Sequence, residues 1–186
     1  MKSIINTLTI VILVNIFVCF DISANNLIIS DQRADKGEDI FFEISINSAL
    51  NDVKSFGFQI EYPADRLEFD PDNYEIGPLL SQGQGYLTVG EDDQGMIRVG
   101  WFCMLNYKIP KHANGVLLKL KFTTLCCKNA ELKFVSVYDH FADWPIKNGN
   151  FSIIENSFCR LDFNGDSRIG LPEVIELMRY LSDDQF

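Results

Sequence analysis

Phe56, Phe58, Ile60 and Tyr62 alternate with Gly57, Gln59 and Glu61. A period of two puts the four apolar side chains on one face of an extended chain and predicts a half-buried β-strand. Leu27–Ile29, Ile40–Ile46, Met96–Phe102, Val116–Phe122 and Leu132–Tyr138 show similar alternation or apolar density. Between these runs lie Pro63-Ala64-Asp65, Asp70-Pro71-Asp72-Asn73, Ser81-Gln82-Gly83-Gln84-Gly85, Asp92-Asp93-Gln94-Gly95 and Ala113-Asn114-Gly115. Gly, Pro, Asn and Asp are the residues that chain reversal needs. About eight strands at regular spacing, with no helical stripe between them, predict an all-β antiparallel sandwich or jelly roll.

The period changes after Asn150. Val174, Leu177, Met178 and Leu181 recur at i, i+3, i+4 and i+7, the stripe of an amphipathic helix, and Pro172 suits its first turn. Just ahead stands Asp162-Phe163-Asn164-Gly165-Asp166-Ser167-Arg168-Ile169-Gly170-Leu171-Pro172-Glu173. A 12-residue calcium loop takes oxygen ligands from positions 1, 3, 5, 7, 9 and 12. Asp162, Asn164 and Asp166 fill the first three, Arg168 offers its backbone carbonyl, Gly170 admits a water, and Glu173 completes the set. Ile169 supplies the apolar pin. Ser167 stands where the sharp turn wants Gly, which lowers the expected affinity. The competing reading is a solvated turn in which Asp166 and Glu173 serve only to start the helix.

At the other end, Lys2 precedes an almost wholly apolar run from Ile4 to Phe20, and Ser23-Ala24 supplies small residues. That is the layout of a signal peptide cut near Ala24. A retained anchor fits less well, because the run is short for a bilayer and no basic cluster follows it. Cys19 lacks the preceding small residue that lipidation requires. The expected organisation is a signal peptide over 1–24, a sandwich over 25–154 and a calcium loop and helix over 158–184. The mature chain is then secreted, extracellular or at the cell surface, without membrane insertion. A formal charge of −10 and a pI near 4.6 argue against a nucleic-acid partner, which would need clustered Lys and Arg. With 47% hydrophobic residues and 15 Phe, there is ample apolar surface for a core.

Four cysteines remain after signal removal: Cys103, Cys126, Cys127 and Cys159. A bridge within the vicinal pair would be strained, so one bridge from that pair to Cys103 and another to Cys159 is one expectation; four reduced, buried thiols are the other. The two histidines, His112 in a Lys-Pro-Lys-His turn and His140 at a strand exit, accompany no nucleophile elbow, phosphate loop or zinc-protease helix. The chain is therefore expected to be non-catalytic. Trp101, Tyr86, Tyr107 and Trp144 would stack on sugar rings if they shared an exposed face, whereas core packing is the more frequent fate of such residues.

The order and spacing of several segments carry a family resemblance. Lys36-Gly37-Glu38-Asp39-Ile40, Gly57-Phe58-Gln59-Ile60-Glu61-Tyr62, Leu67-Glu68-Phe69, Ile76-Gly77-Pro78-Leu79-Leu80, Gly95-Met96-Ile97-Arg98-Val99-Gly100 and Gly115–Phe122 resemble the cohesin domain, the receptor module of cellulosome-type assemblies, across roughly residues 26–154. The tail is similar to half of a dockerin, the calcium-dependent module that cohesins bind; it carries one loop-helix repeat where dockerins carry two. The resemblance implies a nine-stranded cohesin-like jelly-roll β-sandwich with a short C-terminal calcium appendage. It also implies a non-catalytic role in protein–protein assembly with a dockerin-like module, in the setting of extracellular polysaccharide processing. The alternatives are a carbohydrate-binding module acting directly on polysaccharide and a structural domain that uses calcium only for stability.

Overall fold

The computed structural model describes residues 26–81, 85–93, 95–104, 107–154 and 168–183. The predicted signal peptide and the first three calcium-loop positions, Asp162, Asn164 and Asp166, lie outside the described residues. In chain order the strands are β1 (Leu27–Ile29), β2 (Gln32–Ala34), β3 (Asp39–Ile46), β4 (Ser55–Glu61) and β5 (Leu67–Ile76). They continue with β6 (Gly85–Asp93), β7 (Met96–Cys103), β8 (Gly115–Thr124), β9 (Ala130–Asp139), β10 (Ile146–Lys147) and β11 (Gly149–Ile153). A four-residue helix α1 (Pro78–Ser81) follows β5, and helix α2 (Leu171–Asp183) stands at the C-terminal end.

The strands form a β-sandwich. One sheet runs β10-β1-β3-β8-β5 and the other β2-β11-β9-β4-β7-β6. Alternation decides which side chains meet between them. Ile40, Phe42, Ile44 and Ile46 of β3 and Leu120 and Phe122 of β8 face Phe56, Phe58 and Ile60 of β4 and Ile97, Val99 and Trp101 of β7, all in one buried cluster. Rings brace neighbouring strands within each sheet: Phe42 of β3 meets Phe122 of β8 edge-on at 5.4 Å between centroids, and Phe58 of β4 meets Phe134 of β9 likewise at 5.4 Å, the arrangement that the ring quadrupole favours.

Eleven strands occur among the described residues, against about eight read from the sequence and nine implied by the resemblance. The surplus lies at the ends of the sandwich. β1 pairs in parallel with β10 in the five-stranded sheet, and β2 pairs in parallel with β11 in the other, so each terminal segment changes sheets part-way along. Asp31, at the first crossover, ties the two together. It pairs with Lys147 Nζ at 2.7 Å and accepts the Asn150 backbone N–H at 2.9 Å. The hydrogen bond from Lys147, then that from Asn150 N–H, holds its carboxyl below the ordinary range.

Two further expectations are corrected. Asp70–Asn73 does not reverse the chain: the register along β8 passes from Phe69↔Phe122 to Tyr74↔Leu120. Four residues thus bulge out of edge strand β5, the position where Pro71 removes no ladder bond. The bridge proposed from the vicinal cysteines to Cys103 is also absent, since Cys103 and Cys126 are both free while Cys127 is disulfide-bonded. Topology explains this. Leu125 N–H bonds to Arg66 O, placing Cys126 at the end of the sandwich where β7 begins. Cys103 closes β7 seven residues on, roughly 23 Å away at strand rise and far beyond disulfide reach.

Candidate binding face on the six-stranded sheet

The outer faces of the two sheets differ in chemistry. On the five-stranded sheet, Lys119 of β8 lies between Glu43 of β3 (3.6 Å) and Glu75 of β5 (3.2 Å), and Lys121 between Asp39 (2.9 Å) and Asp70 (3.9 Å). The hydrogen bonds that Lys119 donates to Glu75 and Lys121 to Asp39 hold the two ammonium groups above their ordinary values. Thr123 donates to Asp39 at 2.7 Å. This face is a closed ladder of acid, lysine and acid.

On the six-stranded sheet the register sets Tyr138 of β9, Gly57 of β4, Gly100 of β7 and Thr88 of β6 in one row across the strands. The next row toward the Ser55 end brings Ser55, Phe102 and Tyr86 together; the row on the other side brings Ser136, Gln59, Arg98 and Gly90. With no side chain on either of two facing glycines, the middle row forms the floor of a groove of ≈ 390 Å³. Tyr138 walls one side. Tyr86 and Phe102, 5.7 Å apart between centroids, close the end. All three rings are about half exposed, an unusual fate for large apolar side chains.

Three polar side chains around this groove have partners. Thr88 Oγ1 donates to Gly100 O at 3.2 Å, Tyr138 Oη to Gln59 at 3.4 Å, and Arg98 pairs with Asp92 at 2.5 Å. His140, beside the groove, lies 3.4 Å from Ser55 Oγ through Nδ1, but the same nitrogen sits 3.1 Å from Ser55 O. A carbonyl only accepts, so Nδ1 bonded there carries the proton and is not available to activate the serine. His112 is an exposed turn residue with φ of 66°.

Of the four aromatics considered from sequence, Tyr86 alone stands on this face in the open. Trp101 and Trp144 are core residues, the latter bonded through Nε1 to Asn51 at 3.0 Å. Tyr107 is partly buried and donates to Leu79 O at 2.8 Å. Phe102, Tyr138 and the glycine pair were not singled out. The visible signal was the Gly57 and Gly100 interruption of two alternating strands, which becomes a groove only once the register sets them side by side.

In the tail, Arg168 and Glu173 lie within the described residues. Glu173 is buried at 3% exposure although the other described side chains of α2 are exposed. Its Oε2 accepts the Gly170 backbone N–H at 2.7 Å, half of a capping box. Its Oε1 is buried without a hydrogen-bond partner. A carboxylate with one oxygen engaged and the other shielded yet unpaired fits a cation ligand by its donor chemistry. No described helix is long and apolar enough to cross a membrane.

No protein-family model matches the chain, and no curated protein matches it. Solved structures do. A non-cellulosomal cohesin from the archaeon Archaeoglobus fulgidus superposes with a TM-score of 0.53 at 22% identity, over 72% of this chain and 93% of its own. The fold is that of cohesin modules. A cohesin of ScaC from Acetivibrio cellulolyticus, solved in complex with the ScaB dockerin, gives 0.57 at 11% identity over 69% of this chain and 98% of its own. A type III cohesin from the cell-surface anchoring scaffoldin of Ruminococcus flavefaciens gives 0.56 at 11%, over 73% and 93%.

Proposed function

We propose that this chain is a non-catalytic, cohesin-like receptor that takes a dockerin-like protein module on the outer face of its six-stranded sheet. The observation that carries this reading is the asymmetry between the two outer faces. Ion pairs occupy the five-stranded sheet, whereas the other presents Tyr86, Phe102 and Tyr138 around a glycine-floored groove. Aromatic anchors around a water-excluding depression are what a protein hot spot requires. The cohesin neighbours solved with dockerins support the kind of partner. Secretion after cleavage near Ala24 and a setting of extracellular polysaccharide processing belong to the same reading. So does calcium held by Asp162, Asn164, Asp166, Glu173 and the Arg168 carbonyl; it would order the tail by linking loop to helix.

The test is titration calorimetry of the mature chain, residues 25–186, against recombinant dockerin modules of the kind seen with the cohesin neighbours. The expected result is binding that weakens at least about tenfold in Tyr138→Ala and Phe102→Ala and is unchanged in Glu75→Gln on the opposite face. Equal losses from both faces, or no binding, would reject the assignment. Retention on insoluble polysaccharide with release by soluble oligosaccharide would replace it with direct carbohydrate binding.

A further inference from the structure

Gly57 and Gly100 stand mid-strand in neighbouring strands, where a side chain would strengthen the sheet. Neither has a positive φ. A Cβ on Gly57 would meet Tyr138 Cδ2 at 3.5 Å and Val99 O at 3.7 Å, ordinary contacts; one on Gly100 would meet only the end of the rotatable Thr88 side chain at 3.2 Å. Other strand glycines differ: a Cβ on Gly85 would fall 2.2 Å from Trp101 Nε1, and one on Gly149 would fall 2.4 Å from Ile29 Cγ2. Thus neither backbone nor packing calls for the facing pair. What they preserve is the open floor of the groove.

The two ends of that floor differ in charge. Arg98 lies at the Gln59 end, matched by Asp92 at 2.5 Å, and four residues or roughly 13 Å of strand from Phe102. At the Ser55 end Tyr86 and Phe102 are exposed, Tyr138 walls the side, and Asp139 joins the lining. Asp139 shares its row with Phe56 and Trp101, which face the core. A φ of 58° breaks the alternation there and leaves Asp139 exposed. Its carboxylate has no partner among the described residues, unlike Asp39, Glu43, Asp70 and Glu75 on the other sheet, each of which is set against a lysine.

Aromatic rings beside an unpartnered carboxylate complement a cation. The face of each ring is the negative side of its quadrupole, and an organic cation within about 6 Å of the centroid is attracted to it. Desolvation decides which cation. A primary ammonium carries three N–H groups that need acceptors once they leave water, and the hydroxyls of Thr88 and Tyr138 are committed to Gly100 O and Gln59. A quaternary ammonium has no N–H; its methyl groups pack on rings and on a floor without side chains. We infer that the Ser55 end of the Gly57–Gly100 groove is a site for a quaternary ammonium group, held against Tyr86, Phe102 and Tyr138 with Asp139 balancing its charge. The site stands without the receptor function, with which it shares these rings.

The test is a titration of the mature chain, residues 25–186, followed in nitrogen-15 correlated NMR spectra. Three probes are compared: choline, its neutral isostere 3,3-dimethylbutan-1-ol, and the primary amine ethanolamine. Choline should shift the Gly57 and Gly100 amides saturably, and the other two should bind at least about tenfold more weakly. Phe102→Leu, which removes a ring but keeps bulk, and Asp139→Asn should each weaken choline at least about threefold, with spectral dispersion confirming that both fold. Gly57→Val, which fills the floor, should abolish the shifts at Gly100. Equal binding of dimethylbutanol would make the groove merely apolar, and equal binding of ethanolamine would make it an ion-pair site; either overturns the inference. So does the absence of a saturable shift, which leaves the receptor function standing if dockerin binding still falls in Phe102→Ala. Choline shifts in a chain that takes no dockerin would uphold the ligand site and reject the receptor.

Discussion

Two glycines that read alike in sequence have opposite roles. Gly149 opens β11 and is buried; a methyl group there would meet Ile29 Cγ2 at 2.4 Å and the Ser30 carbonyl oxygen at 2.7 Å. Part of that obstacle is backbone, so the crossover itself would have to move. Overpacking of this kind costs about 1–3 kcal/mol. Gly57 faces open groove with room for a methyl group, and exchange to Ala there removes the penalty of an in-strand glycine, about 0.5–1 kcal/mol. Urea unfolding should therefore show Gly149→Ala destabilised by about 2 kcal/mol and Gly57→Ala unchanged or slightly more stable. Equal destabilisation by both would mean that Gly57 has a structural task. Residue type alone does not distinguish the two positions; only cross-strand neighbours separate a glycine that admits another element from one that keeps a surface clear.

Among the elements, those with one buried and one wet face were legible because alternation is the direct consequence of that burial. The alternating run at Phe56 became β4 and that at Met96 became β7. Strand β6 was not predicted. It is the edge of its sheet, exposed or half-exposed along its length, so its composition carries little of the apolar signal. The division of the terminal segments between two sheets was equally hidden, because it depends on Asp31 meeting Lys147 and Asn150 across more than a hundred residues. That contact makes the crossover acid-sensitive. The folded carboxyl titrates below its ordinary value of 3.8, so its contribution is complete above that value and is lost as pH falls through the folded pKa. Asp31 is half exposed, which keeps the effect small. In Asp31→Asn, the melting temperature should decline less steeply than in wild type below about pH 4, while both retain a flat profile near neutrality. Parallel curves would show that the crossover does not depend on this charge.

For the whole molecule, the sandwich and its polarity of faces follow from strand order, whereas the tail turns on a single carboxylate. The sequence reads Glu173 as the last ligand of a calcium loop, with a helix-start role as the competing reading. The geometry assigns its two oxygens differently: Oε2 caps Gly170 N–H, and Oε1 is buried without a hydrogen-bond partner. Glu173→Gln separates the roles. A glutamine at the third helical position caps as a glutamate does, but it removes the charge and the second carboxylate oxygen that a bidentate calcium ligand supplies. If capping is the whole task, the variant will match wild type in both calcium and chelator. Calcium ligation predicts another pattern: equal helix content by circular dichroism in chelator, a calcium-induced rise in wild type alone, and calorimetric calcium binding at least about tenfold weaker in Glu173→Gln. Asp162→Ala should abolish the same heat. Were Asp162→Ala to bind as wild type does, the loop would be a turn before a helix.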